Sequence, residues 1–245
     1  MDATGPVYFS ALAAHRRERQ NLMKTVLAWV LWLWIVLVIL GAFFYAPLAK
    51  GFLGESSRIL FFHVPMAWTS FVAFIAAGIS SARYLWGGRD PRHDRSARVA
   101  VELGMLFTVL ATVTGALWAR IMWGAYWNWD PRQISICMAM LFYGAYLALR
   151  ESVEDPDARA RLAASYAVLG LVVAPFLYFV VPRITFSLHP DSVVNARGKI
   201  DVESRMLQVL LLGSIGFNVL YFWMHNLQCR LAALAERRDA AEEKA

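Results

Sequence analysis

Long apolar stretches alternate with short charged stretches along the whole chain. Six apolar stretches of roughly 18–25 residues are each long enough to cross about 30 Å of hydrocarbon. They are Thr25–Tyr45, Ile59–Leu85, Val99–Ala119, Pro131–Leu149, Leu162–Val181 and Met206–Leu227. The fourth has the shortest apolar core. This pattern predicts an all-α fold, a polytopic membrane protein with six transmembrane helices.

The composition agrees with this prediction. Hydrophobic residues make up 59% of the chain and charged residues 17%, whereas in soluble domains about a quarter of all residues are charged. We predict one integral-membrane domain, 1–245, with an N-terminal tail at 1–24, a six-helix membrane domain at 25–228 and a C-terminal tail at 229–245. The C-terminal tail is expected to continue the last span as a short charged helix. The first span is too long and too far from the N-terminus to resemble a cleaved signal peptide.

The basic residues predict the orientation of the spans. Of the 24 Lys and Arg residues, sixteen lie in the two tails and in the loops after the second and fourth spans, and eight lie in the other loops. Because cytoplasmic segments carry the excess of Lys and Arg, both termini are predicted to be cytoplasmic. The short loop between the third and fourth spans then lies outside, on the periplasmic face.

That outer loop is unusually rich in tryptophan. Four tryptophans fall within twelve residues: Trp118, Trp123, Trp127 and Trp129. Tryptophan at a membrane interface is commonly an aromatic-belt anchor. That role accounts for Trp29, Trp32, Trp34, Trp86 and Trp223, and it is the alternative for the loop as well. A belt requires no such clustering, however, so we interpret the four indoles as a platform for a large planar ligand.

Two histidines flank this platform along the sequence. His63 precedes it at the outer start of the second span, and His189 follows it in the outer loop after the fifth span. A haem iron accepts two axial ligands, and imidazole suits iron. We therefore predict that His63 and His189 are haem axial ligands, although each taken alone is more simply a hydrogen-bonded structural residue. The other histidines, His15, His93 and His225, are expected to be ordinary titratable residues.

Charged residues complete the predicted site. Three arginines lie near the outer boundary and are suited to bind haem propionates: Arg58, Arg132 and Arg183. Asp130 precedes Pro131, which predicts a helix N-cap followed by proline in the first turn, and we assign it to the platform as well because both roles are compatible. Arg132 lies where the helix dipole disfavours a cation, which indicates a function, with a contact to lipid headgroups as the alternative.

Several chemistries are excluded by motif. Cys137 and Cys229 are far apart, and no Cys-x-x-Cys occurs, which argues against covalent haem attachment or a redox dithiol. No Gly-x-x-x-x-Gly-Lys-Ser/Thr phosphate loop occurs. A cytochrome b-like electron-transfer subunit is the less favoured alternative, because such subunits bury histidine pairs inside their helices and no such pair is evident at the inner side. A permease is also disfavoured, since intramembrane charges are almost lacking and Glu102 is expected to pair with Arg98.

The run Trp123-Gly-Ala-Tyr-Trp127-Asn-Trp129-Asp130-Pro-Arg132 resembles the WWD signature of a superfamily of haem-handling proteins. The segment from Arg58 through His63 to Trp68 is similar to the first-histidine motif of the CcmC family, and chain length and span number agree with that family. Tyr126 and Pro131 resemble the residues of the related CcsA branch at these positions. The alternative assignment is therefore a CcsA-type haem-handling subunit of a cytochrome c synthetase.

The resemblance implies a function without enzymatic turnover. Proteins of the CcmC family bind haem b at the outer face of the bacterial cytoplasmic membrane. They deliver it to the haem chaperone CcmE for c-type cytochrome maturation, in an ABC-type complex with CcmA, CcmB and CcmD. Carried over by position, the axial ligands are His63 and His189, and the platform includes Trp123, Trp127 and Trp129.

Overall fold

The computed structural model describes residues 5–49, 54–189 and 202–242. The ends of the two predicted tails, 1–4 and 243–245, lie outside the described residues. The helices are α1 Gly5–Leu40, α2 Leu60–Trp86, α3 Pro91–Trp123, α4 Pro131–Ser152, α5 Pro156–Pro175, α6 Val181–Ile184 and α7 Ser204–Glu242. A π-helical turn, Gly41–Tyr45, extends α1, and a 3-10 turn, Glu55–Ile59, precedes α2. A second π-helical turn, Phe176–Val180, joins α5 to α6.

The predicted all-α fold with six spans is confirmed. Six helical segments are long and apolar enough to cross a membrane: Leu22–Tyr45, Glu55–Trp86, Pro91–Trp123, Pro131–Ser152, Pro156–Ile184 and Ser204–Glu242. The described residues form no β-strand, only an isolated bridge between Ala49 and Gly54. The charged C-terminal segment continues α7 as predicted. The N-terminal segment, predicted only as a tail, is helical from Gly5.

Aspartate followed by proline begins three of the helices. The side chains of Asp90, Asp130 and Asp155 accept hydrogen bonds from the first-turn N–H groups of α3, α4 and α5. Aspartate satisfies N–H groups that the helix leaves unpaired, and proline loses nothing at the first position because its missing N–H has no partner there. These caps fix where each short connection ends, including the tryptophan-rich loop before α4.

The core of the bundle is centred on α2, which packs against α3, α5 and α7. Phe74 of α2 stacks on Tyr143 of α4 with ring centroids 3.6 Å apart and planes 3° from parallel. Gly104 of α3 lies directly against Phe74, where an added Cβ atom would come within 2.6 Å of the ring. Small residues allow membrane helices to approach closely, and here the glycine makes room for the ring stack.

α1 begins and α7 ends at the same end of the bundle, because six successive spans return the chain to the side where α1 begins. We call it the termini end, and the opposite end, which carries the α3–α4 connection, the loop end. At the termini end Arg150 forms two hydrogen bonds to Asp94, of 2.6 and 2.9 Å. The predicted pairing of Glu102 with Arg98 is confirmed, with an N–O distance of 2.7 Å. These ion pairs join charged groups at the termini end, whereas the predicted site residues lie at the loop end.

Candidate functional site

His63 lies in the first turn of α2 and faces α3. Its Nδ1 atom lies 3.1 Å from the hydroxyl oxygen of Thr114. That hydroxyl donates its own hydrogen to the carbonyl of Leu110, at 2.8 Å, so it accepts from the Nδ1–H of His63. We therefore assign the tautomer that leaves the lone pair on Nε2. Gly115 gives the ring its room, because an added Cβ atom would lie 2.8 Å from Cε1 of His63.

His189 lies on the loop after α6 and is held by Asp130. The Nδ1 atom of His189 lies 2.9 Å from Oδ1 of Asp130. An ionised carboxylate only accepts hydrogen bonds, so Nδ1 carries the hydrogen and the lone pair again lies on Nε2. The two histidines thus have the same tautomer. A hydrogen bond from the second ring nitrogen to a carboxylate is the usual support of a metal-binding histidine.

Asp130 receives hydrogen bonds from four donors. They are the N–H of Arg132 at 2.9 Å, the hydroxyl of Ser187 at 3.0 Å, the N–H of Leu188 at 2.7 Å and Nδ1 of His189. Burial raises the pKa of the Asp130 carboxyl, but the two backbone N–H groups, His189 and Ser187 together hold that pKa below its ordinary value. Asp130 is therefore an anion that caps α4 and ties the His189 loop to it.

The imidazole of His189 is neutral near pH 7. Burial lowers the pKa of His189 to about 4, against the opposing attraction of the Asp130 carboxylate. Arg132 and His63 lie within electrostatic range and lower this pKa further. A neutral imidazole is the form that binds a metal ion, so the surroundings of His189 maintain it in the binding-competent state.

The four tryptophans of the predicted platform fall into two groups. Trp118 and Trp123 pack against the His189 ring, with centroid distances of 6.0 and 4.8 Å, and against each other at 5.1 Å. Trp127 and Trp129 form a separate perpendicular pair at 5.8 Å. Trp118 is buried, whereas Trp129 is 74% exposed. The first pair forms part of the wall around His189, and the second projects an aromatic surface from the loop.

The loop that carries this second pair is fixed by an amide side chain. Gln133, in the first turn of α4, accepts from the N–H of Asn128 at 2.8 Å and donates to the carbonyl of Tyr126 at 3.2 Å. Trp129 has a φ of +56°, a left-handed conformation that costs a bulky residue about 1–3 kcal/mol. The hydrogen bonds on both sides of Trp129 hold this conformation in place.

The three predicted propionate arginines have different contacts in the structure. Arg132 lies within electrostatic range of both histidines. Arg58 instead pairs with Glu55 at 2.7 Å and donates to the carbonyl of Ala42. Arg183 donates to the carbonyl of Phe179 at 3.0 Å. Arg132 is therefore the cation that these contacts associate with the histidine site.

Three residues that support the predicted site, Gln133, Ser187 and Thr114, were not predicted from the sequence. The spacing of Asp130 and Gln133 is that of a capping box, so a local signal existed for Gln133. Ser187 lies two residues before His189, and serine side chains commonly form hydrogen bonds with neighbouring backbone groups. Its hydroxyl accepts from the His189 N–H at 3.2 Å. Thr114 had no signal, because it meets His63 across 51 residues of sequence.

The described residues contain no group of three or more His, Cys, Asp and Glu side chains arranged to hold a metal ion. Two imidazoles alone suit a metal whose other ligands come from elsewhere, as the four nitrogens of a porphyrin do. The indoles beside His189 offer the apolar surface that such a ring requires. The fold and the site together define a multi-pass membrane protein with a two-histidine, tryptophan-lined site at one end of its bundle.

Comparison with known proteins places the chain in a family. Residues 9–244 match the family model for CcmC, Heme exporter protein C, and the chain belongs to that family. It is 33% identical to "Heme exporter protein C" of Bradyrhizobium diazoefficiens over 97% of this chain and 86% of that one. It is 31% identical to the protein of that name from Rhodobacter capsulatus, over 89% and 91%. An Arabidopsis thaliana relative named as a ccmC-like mitochondrial protein of cytochrome c biosynthesis is 33% identical, over 78% and 71%.

Proposed function

We propose that this chain binds haem b at its loop end, with His63 and His189 as axial ligands, and delivers it for c-type cytochrome maturation. The observation that carries the proposal is the shared support of the two imidazoles. Each has its Nδ1 hydrogen bonded, to Thr114 or to Asp130, so each directs its lone pair through Nε2. The two rings also lie within electrostatic range of each other.

The surroundings support haem as the cargo. Trp118 and Trp123 provide apolar surface beside His189, and Trp127 and Trp129 extend it outward. Arg132 supplies positive charge near both histidines, which suits the propionates of a bound haem. Arg58 and Arg183 remain proposed propionate contacts, although the structure pairs Arg58 with Glu55 and the Ala42 carbonyl and Arg183 with the Phe179 carbonyl.

The role proposed for the chain is orientation and hand-over. The haem supplies iron and porphyrin, while the chain supplies two neutral imidazoles, an aromatic wall and a cation. His189 stands on a loop that hydrogen bonds attach to α4, so this ligand can be withdrawn without moving a transmembrane helix. Such an arrangement suits a transfer subunit without an ATPase or catalytic centre of its own.

We further propose that the loop end faces the periplasm and both termini face the cytoplasm of a bacterial inner membrane. The excess of Lys and Arg toward the termini end supports this orientation. By family, the recipient is the haem chaperone CcmE, and the complex includes the ABC subunits CcmA and CcmB with the small subunit CcmD. The names of the relatives support haem export and cytochrome c biogenesis as the process.

The optical spectrum of the purified chain tests the proposal. We expect the wild type to bind one haem with a six-coordinate, low-spin spectrum. His63→Ala and His189→Ala should each lose one axial ligand, and the double variant should lose ligation. A His93→Ala, His225→Ala double variant is the matched control, because it removes two histidines at the termini end and should leave the spectrum unchanged. An unaltered Soret band in the His63, His189 double variant would exclude bis-histidine binding.

A further inference from the structure

A groove lies between α1 and α7 at the termini end, far from the histidine site. Its volume is about 610 Å³. Two cations and three indoles account for most of its polar and aromatic surface. The lining residues that matter are Lys24, Trp29, Trp32, Trp223 and Arg230. The groove is therefore neither uniformly apolar nor uniformly charged.

The two cations lie at the same end of the groove. Lys24 is near the start of the first span, and Arg230 is near the end of the last, and these two helices run in opposite directions. Both side chains are exposed, and neither forms an ion pair with any described residue. Two unpaired cations this close to a membrane surface attract an anion.

The indoles lie deeper in the membrane than the cations. Trp29 follows Lys24 by five residues, a rise of about 7 Å, and Trp223 precedes Arg230 by seven, about 10 Å. Trp29 and Trp32 are 71% and 61% exposed. Trp34, by contrast, donates its indole N–H to the carbonyl of Leu212 at 3.0 Å. The indoles of Trp29, Trp32 and Trp223 donate to no described residue, so their N–H groups are available to a ligand.

We propose that this groove binds an anionic phospholipid of the leaflet at the termini end. The groups of the groove follow the order of the groups in a phospholipid. The cations at the surface match the phosphate, the indole donors below them match the ester oxygens, and the apolar helix faces below those match the acyl chains. Haem would also present an anionic edge and an apolar body. The lining includes no imidazole or thiolate at the depth of the indoles, however, so the groove offers iron no axial ligand. The phospholipid is the occupant that uses every group present.

Native mass spectrometry of the full-length chain tests this inference. The purified protein is equilibrated with phosphatidylglycerol and phosphatidylcholine of identical acyl chains, and retained lipids are counted. Each cation near the surface gives about a fivefold preference for an anionic headgroup, so the wild type should favour phosphatidylglycerol about thirtyfold at this site. Lys24→Gln with Arg230→Gln should abolish the preference. Trp29→Leu with Trp32→Leu retains both cations and should lower the retention of both lipids.

Arg161→Gln with Arg237→Gln is the matched control, because it removes the same charge from exposed positions at the same end. It should retain the wild-type preference. Equal retention of the two lipids by the wild type, or equal loss in the control and the Lys24, Arg230 variant, overturns the proposal. In a parallel experiment haemin is added instead of lipid. If the Lys24, Arg230 variant then retains less haem than the wild type, the occupant of the groove is haem and the proposal is overturned. The Soret spectrum of the same samples reports on the histidine site separately.

Discussion

His63 and His189 have the same tautomer but very different supports. His63 lies inside a transmembrane helix and packs against the backbone of α3 at Gly115. His189 lies on a loop, and its support is a set of hydrogen bonds that converge on one carboxylate, that of Asp130. Packing therefore dominates the support of His63, which has one hydrogen bond to Thr114, and polar contacts dominate that of His189, which also packs against Trp118 and Trp123. The two histidines should respond to different substitutions.

This difference indicates how a haem-transfer protein can hold its cargo and still release it. A ligand fixed between two helices moves only if the bundle moves. A ligand on a loop moves when a few hydrogen bonds break, and each contributes only about 0.5–1.5 kcal/mol net, or more with a charged partner. We therefore expect the His189 side to respond to substitutions in its polar support and the His63 side to respond to changes in shape.

Replacing Asp130 should have the largest effect. Asp130→Ala removes the N-cap of α4 and the acceptor for Ser187, Leu188 and His189 together. Loss of the partner of a metal-binding histidine typically lowers affinity about 10–100-fold, and we expect haem retention to fall at the upper end of this range. Titration of haem into the purified variant, followed at the Soret band, measures the change.

Asp130→Asn separates the two roles of this residue. Asparagine is as good an N-cap as aspartate, and its amide oxygen can accept from Arg132 N–H and Nδ1–H of His189. It lacks the charge, however, and its NH2 group would face the N–H of Leu188, which loses its acceptor. We expect a loss smaller than that of Asp130→Ala. The matched control is Asp155→Ala, which removes an equivalent N-cap from α5 at the termini end and should leave haem binding intact. If Asp155→Ala reduces retention as strongly, the effect is general destabilisation rather than support of His189.

Gly115→Ala should perturb the other side. The added methyl group would lie 2.8 Å from Cε1 of His63, so the ring or the α2–α3 contact must shift. Such overpacking costs about 1–3 kcal/mol. If this cost falls on the haem-bound state alone, it corresponds to about a five- to 150-fold loss of haem affinity. Gly144→Ala is the control, because nothing lies within 4 Å of its added Cβ atom. Equal spectra for both variants would contradict the packing role assigned to Gly115.

The spans could be predicted from the sequence because the thickness of the bilayer imposes a minimum apolar length. The helix bounds beyond the apolar core could not. The third span was predicted to end at Ala119, but the helix continues to Trp123, where Gly124 with a φ of +80° ends it. The hydrogen bonds of a helix continue into the interface, past the charge of Arg120 that interrupts the apolar run. The same reason explains why the N-terminal segment, which lacks an apolar run of span length, is helical from Gly5.

The site could be predicted only at the level of residue type. The sequence indicates that histidines and tryptophans suited to haem lie on one side of the membrane. Their contacts, however, join residues that are far apart in the sequence. The bond between Asp130 and His189 spans 59 residues, and no local pattern encodes it. Likewise, the division of the tryptophans into two pairs depends on how far α3 extends and where Gly124 turns the chain. The roles of these residues toward haem stay predictions.

Thr114→Val should have a smaller effect than Gly115→Ala. Valine has nearly the same shape as threonine but offers no acceptor to Nδ1–H of His63, so the variant removes one hydrogen bond worth about 0.5–1.5 kcal/mol. We expect haem affinity to fall about two- to tenfold, with the six-coordinate spectrum retained. Thr112→Val is the control, since among the described residues the Thr112 hydroxyl bonds only to the carbonyl of Thr108, at 2.8 Å. A loss of the same size in Thr112→Val would assign the effect to α3 itself.

Trp129 gives the smallest expected effect, because it lies on the same loop side as His189 but its ring pairs with Trp127 and with neither histidine. Trp129→Ala removes an exposed indole and its contact with Trp127, worth about 0.5–1.5 kcal/mol, while keeping the left-handed backbone. Trp129→Gly removes the same indole and also relieves the strain at φ +56°, so it should unfold at a higher temperature than Trp129→Ala. If the indole itself binds haem, both variants should retain haem about equally, two- to tenfold less than the wild type. If Trp129 acts by holding the loop instead, haem retention should follow the unfolding temperature, and the two variants should differ.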